Sequence, residues 1–123
     1  MLFKIGDKEY ELKFGLKCIR ELDKVYTVDQ QGVEFGMGIN LAYANLLNYN
    51  PTALPEIIRA ALSHLSSPPR LKDIEEAIEQ YAVENDGLEQ LFEDVLEELG
   101  KSPVAKATIK RIEQLGKAAN VQG

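Results

Sequence analysis

His64 is the single histidine of the chain and Cys18 its single cysteine. These are the residue types from which an activated nucleophile is built, because attack by a thiol or hydroxyl needs a neighbouring base to take the proton. Nothing in their spacing pairs them. Cys18 sits one residue before Ile19 in an amphipathic stretch, the setting of a small packed side chain, since an unpaired cysteine is often buried and inert. His64 falls at the end of an apolar run, where an imidazole interacts with the C-terminal end of a helix dipole. One cysteine also excludes an internal disulfide framework and a Cys-rich zinc site.

The remaining chemistry-bearing residues are acidic. A calcium loop fitted with Gly87 as its glycine puts Ala82 where the first carboxylate is needed, and it leaves Glu89 where an apolar residue is usual. The pattern fails, and Asp86 and Glu89 are better placed as a capping box for a helix that follows. Glu75, Glu76, Glu79, Glu93, Asp94, Glu97 and Glu98 fall opposite apolar stripes, so they form solvated faces and not an acid–base pair with two unlike environments. Gly36-Met37-Gly38 lacks the frame of a phosphate loop, and no strand is expected to feed it. The sequence offers no catalytic residue, no cofactor site and no metal site.

Charge is distributed unevenly. The chain of 123 residues has a formal charge of -6, but residues 71–100 hold eleven acids against Lys72 alone. Residues 1–70 are neutral and residues 101–123 carry +4. This balance argues against a nucleic-acid binder, which needs a surplus of Lys and Arg against phosphate. The uncharged run from Phe35 to Pro55 is long enough for a bilayer, but Asn40, Asn45, Asn48, Asn50 and Pro51 would be costly there, so the expectation is a buried helix and its exit loop and no membrane. The start, MLFKIGDKEYE, lacks the apolar core of a signal peptide, which points to a reducing cytoplasm.

The elements that must position these residues follow from periodicity. Leu2–Ile5 and Tyr10–Phe14 alternate on either side of Gly6-Asp7 and predict a β-hairpin with one apolar face, which must pack on helices. Helical stripes follow: Leu16, Ile19, Leu22 and Tyr26; then Phe35, Ile39, Ala42, Leu46 and Tyr49, with Gly36 and Gly38 loosening the first turn; then Leu54, Ile57, Ile58, Ala61, Leu62 and Leu65. Ser66-Ser67-Pro68-Pro69 breaks the pattern. Beyond it come Leu71, Ile74, Ala77, Ile78 and Tyr81, then Leu88, Leu91, Phe92, Val95, Leu96 and Leu99 with Gly100 as C-cap. Ser102-Pro103 opens a last helix with Ala105, Ile109, Ile112 and Leu115. The expected fold is mainly α (α+β by strict count), an N-terminal β-hairpin packed on five to six amphipathic helices. It forms a single domain, 1–123, with sub-lobes 1–65 and 71–118 joined by a linker at 66–70.

The stretch GDKEYELKFGLKCIRELDKVY, continued by GVEFGMGINLAYANLL, resembles the tail assembly chaperones of long-tailed phages (siphophages) and prophages of Gram-positive bacteria. The order of elements through residue 99 fits as well, while residues 100–123 match only loosely. The resemblance implies a non-catalytic protein that binds and solubilises the tape measure protein and helps recruit the major tail protein to the growing tube. It also implies a place in the host cytoplasm and absence from the mature virion. Many members have a frameshift-extended form, for which Gly116-Lys117 offers a candidate position.

A binder of amphipathic helices needs apolar anchors at helical spacing and acids that attract Lys-rich segments. Met37, Tyr43, Leu47 and Tyr49 lie beside the Phe35–Leu46 stripe and make that helix apolar on more than one face, which means core burial or cover by a partner, with core burial favoured. Glu89, Glu93 and Glu97 supply the acidic counterpart. Two other readings remain: a DNA-mimicking acidic inhibitor of a basic host protein, and a structural tail component that associates with itself.

Overall fold

The computed structural model describes residues 1–122, with side chains placed through Lys117. Two antiparallel hairpins and six helices follow one another. β1 (Leu2–Ile5) pairs with β2 (Lys8–Glu11), and α1 (Leu16–Val25) follows. β3 (Thr27–Gln30) pairs with β4 (Val33–Gly36), and then come α2 (Gly38–Leu47), α3 (Ala53–Ala61), α4 (Leu71–Glu84), α5 (Glu89–Lys101) and α6 (Lys106–Gln122). The fold is mainly α, as the stripes predict.

α3 is the central element because nearly every face of it is apolar. Ala53, Leu54, Ile57, Ile58, Ala60 and Ala61 are all buried, and the helix packs on α1, α2 and α4. α2 lies across α1 and α3 on one side and meets α5 and α6 on the other. The buried side chains form one cluster from Phe3 to Ile109, with Leu22, Leu46, Leu54, Ile57, Ile74, Leu91 and Leu99 essentially without solvent contact. Burial of such a side chain contributes roughly 1.5–3 kcal/mol, so this cluster dominates stability.

Backbone bonds close the layers. Lys13 N–H donates to the Ala61 carbonyl at 2.9 Å, tying the segment after β2 to the end of α3. The Ser102 hydroxyl donates to the Phe14 carbonyl at 2.5 Å, from a buried position. α2 ends with Asn50 N–H on the Asn45 carbonyl at 3.0 Å, across a left-handed Tyr49 with φ 52°. That is a Schellman closure with tyrosine in the position usually taken by glycine. Asn45 and Asn50 then bond to each other and to the backbone, which gives partners to two of the amides of the uncharged run. No helix of the described residues is long and apolar enough to cross a membrane.

Several sequence expectations are corrected. Phe35 belongs to strand β4 and is half exposed; the helix starts only at Gly38. Gly36 and Gly38 do not loosen a helical turn. A Cβ at Gly38 would lie 2.7 Å from the Asp23 backbone nitrogen, so both glycines permit the close approach of the chain to α1. Leu16 is exposed, whereas Leu22 is buried as its place on the stripe implies and Cys18 is buried beside it in α1. Asp86 and Glu89 form no capping box: α5 has no side-chain cap, and Asp86 is the left-handed residue that ends α4, beside a Gly87 N–H bonded to the Ala82 carbonyl at 2.9 Å. α5 runs past Gly100 to Lys101, and Ser102 ends α5 without capping α6. His64 Nε2–H addresses the Glu11 carbonyl at 2.7 Å, linking the first hairpin to the turn after α3 and not to the helix end.

Candidate functional site

Cys18 and His64 have separate surroundings in the fold. Cys18 is buried, and desolvation pushes its thiol up to about 12, so the thiolate that would attack a substrate is suppressed. His64 is bonded to the Glu11 backbone carbonyl. Among the described residues no group of three or more His, Cys, Asp or Glu is placed to hold a metal ion.

What the folding does assemble is a face on α2, α5 and α6. The first two helices pack against each other, and Leu46 of α2 and Phe92 and Val95 of α5 are buried. On a helix, positions four apart share a face, so Tyr43 and Leu47 both project beside that seam, and so do Glu93 and Glu97. α6 closes the third side with Ile109 and Glu113. The result is a shallow groove of about 370 Å³ with Leu47, Leu96 and Tyr43 exposing carbon and Glu93, Asp94, Glu97 and Glu113 exposing carboxylates. Among the described residues no Lys or Arg lines it.

Two tyrosines hold the face in shape. Tyr43 hydroxyl donates to Glu113 Oε1 at 2.9 Å, crossing from α2 to α6. Tyr49 hydroxyl donates to Glu93 Oε1, and its ring stacks on Phe92 with centroids 5.0 Å apart and planes 16° apart. The left-handed turn at Tyr49 is what folds the ring back over α5. Such a backbone is uncommon for a bulky residue and signals a conformation fixed by its surroundings. Both phenols are raised above the ordinary tyrosine range. For Tyr49 the cause is first its bond to Glu93, then desolvation and the nearby charges of Glu93 and Glu89; for Tyr43 it is burial and then Glu113. Both therefore stay neutral donors at physiological pH. Lys101 pairs with Glu97 at 3.0 Å on the far rim, an exposed pair of small energetic weight.

Of the residues singled out from the sequence, Tyr43, Leu47, Tyr49, Glu89, Glu93 and Glu97 come to this region. Met37 does not. It is half-buried where β4 passes into α2, ten residues before Leu47 and roughly 15 Å away along the helix. Core burial, the favoured expectation for the four apolar residues, fails for Leu47 and Tyr49, which are 55% and 40% exposed. Sequence reasoning missed Leu96, Asp94, Ile109 and Glu113 as members of the face. A stripe of Ile109 and Glu113 four apart was legible, but nothing in one sequence says which helices will be neighbours.

The groove sets apolar side chains beside carboxylates, the two features that would complement a helix whose own apolar stripe is flanked by bases. No curated protein and no solved structure matches the chain. The family described as phage tail assembly chaperone protein, TAC, has a model that matches residues 2–114. With nearly the whole chain spanned by that match, the protein belongs to the phage tail assembly chaperone family.

Proposed function

We propose that the chain is a non-catalytic chaperone that binds the tape measure protein through the α2–α5–α6 face, keeps it soluble, and helps bring major tail protein to the growing tube. The observation that carries this reading, beside the family itself, is an exposed apolar surface set among four carboxylates, of which, among the described residues, Glu97 alone has a basic partner, Lys101 at the rim. A tape measure protein presents long amphipathic helices that aggregate unless their apolar stripes are covered. Leu47, Leu96 and Tyr43 offer that cover, and the acids draw in Lys-bearing segments and keep the complex dissolved. Such a protein works in the cytoplasm of the infected host and leaves before the virion is complete.

The test is co-expression with the tape measure protein of the same phage, reading soluble yield and co-purification. The wild type raises the soluble fraction and co-purifies. Leu47→Arg removes both effects if the apolar floor dominates, while Glu89→Lys, Glu93→Lys and Glu97→Lys together only weaken them. Loss of all binding in the charge variant, with Leu47→Arg unaffected, supports the acidic-mimic reading instead. No gain in solubility and no complex with the wild type overturns the proposal.

A further inference from the structure

α4 carries a second groove, on the side turned toward the start of α3. It holds about 360 Å³ between Pro55, Leu71, Ile78, Ala82 and Leu88. Pro55, Leu71, Ala82 and Leu88 are half-buried, so carbon that could be covered is left facing water. The volume is at the low end of the roughly 300–1,000 Å³ of ligand pockets, and its polar lining is Thr52 with three carboxylates.

The rim is acidic. Glu56, Glu75 and Glu79 border the groove, and no Lys or Arg lines it among the described residues. Glu56 already holds Arg59 at 2.7 Å. Glu75 and Glu79 take part in no ion pair among the described residues. They stand four apart on one face of α4, beside the line of Leu71, Ile78 and Ala82. From Leu71 to Ala82 the helix rises roughly 16 Å, three turns, which sets the length of what can lie along it.

We propose that this groove between α4 and the start of α3 docks a short amphipathic helix of a partner protein, with aliphatic anchors against Leu71, Ile78, Ala82 and Leu88 and with Lys or Arg facing Glu75 and Glu79. The groove shares no residue with the α2–α5–α6 face. One chain therefore has two separate seats for basic amphipathic segments and holds two at once. The second seat does not depend on the tape measure reading, and its test separates the two.

The probe is a fluorescein-labelled peptide of about four helical turns, with leucines three and four apart and lysines on the flanking positions, titrated with the full chain. Anisotropy gives affinity, calorimetry gives stoichiometry, and far-ultraviolet circular dichroism confirms that each variant is folded. The wild type takes two peptides. Ala82→Arg, and separately the pair Glu75→Lys with Glu79→Lys, weakens one of the two sites by about tenfold or more and leaves the other, which Leu47→Arg removes. A stoichiometry of one, sensitive only to Leu47→Arg, overturns the second seat and leaves the first. A stoichiometry of one, sensitive only to the α4 variants, supports the second seat and counts against the first. Equal binding of a peptide with scrambled leucines reveals mere charge attraction and overturns the proposal. Growth in mass of the chain alone with concentration, stopped by Ala82→Arg, makes the occupant a second copy and overturns the assignment to a partner.

Discussion

The two hairpins have the same dimensions, four residues to a strand and a two-residue turn, and opposite fates. In the first, Phe3 and Ile5 are 4% and 8% exposed, and Leu12 and Phe14 continue the buried line beyond the ladder. In the second, Val28 faces Phe35 across the strands and Val33 lies on the same face, yet Val33 and Phe35 are 53% and 49% exposed. The turns differ too. Only Gly6 is left-handed in the first, the pattern of a type II′ turn, whereas Gln31 and Gly32 both are in the second, the pattern of type I′. The turn and the alternation decide that a hairpin forms. What covers its apolar face is decided by the rest of the chain: the first is pinned to α3 by Lys13 and faced by α4, and the second only bridges α1 to α2.

The second hairpin is held at its root. Met37 N–H donates to the Tyr26 carbonyl at 2.8 Å, Gly38 N–H donates to Asp23 Oδ1 at 2.8 Å, and the Thr27 hydroxyl donates to the Asp23 carbonyl at 3.0 Å. An isolated two-stranded hairpin is marginal in water, so these bonds set its position while its outer half stays bare.

Substitutions can break this contrast. Phe3→Ala removes a buried ring from the first hairpin and should cost about 3–5 kcal/mol, read as a fall in the urea midpoint at unchanged slope. A loss below about 1 kcal/mol would mean that the first hairpin is as dispensable as the second. Gly38→Ala strikes the root of the second hairpin, since its Cβ would meet the Asp23 nitrogen at 2.7 Å and the Leu22 carbonyl carbon at 2.8 Å, backbone atoms that cannot swing away. Overpacking of that kind costs about 1–3 kcal/mol, and amide exchange should quicken across residues 27–36 before it does across α3. Gly32→Ala is milder. It meets open space, but φ is 82°, so about 1 kcal/mol of left-handed strain is expected, seen as local fraying of β3 and β4 with the global transition little moved.

How much of this was legible from the sequence follows from the same contrast. α3 was, because Leu54, Ile57, Ile58 and Ala61 keep helical spacing and no other period fits them. The second hairpin was not, because Phe35 stands four residues before Ile39 and satisfies a helix as well as it satisfies the alternation of Val33-Glu34-Phe35. The signal that decides between them is Gln31-Gly32, a turn that only a strand on each side would need. The α2–α5–α6 face was half legible. Tyr43 with Leu47, and Glu93 with Glu97, are visible as lines on their own helices, but the meeting of α2 with α5 and α6 is a tertiary fact. Tyr49 was least legible in its role, since a left-handed aromatic residue goes against every local preference and is fixed by Phe92 and Glu93 from another helix. The caps fared worst: Asp86 has the right residue type for an N-cap, yet the closing bond of α4 takes that position first.

The smallest expected effect is the sharpest test of the contrast. Phe35→Ser takes an aromatic ring off the outer face of the second hairpin, where half of it already meets water. Its partner across the strands, Val28, is only partly buried, so little packing is lost. The change in stability should stay within about 0.5 kcal/mol, measured by urea unfolding at low protein concentration, against the several kcal/mol of Phe3→Ala. A loss above about 1 kcal/mol under those conditions would mean that the ring is covered within the single chain, and the two hairpins would then differ in degree only. A loss that emerges only as protein concentration rises would locate the cover in another copy of the chain, because mass action makes stability depend on concentration when association protects the folded state. The same face, unused by the monomer, would then be an interface, and the difference between the hairpins would be one between inner and outer packing.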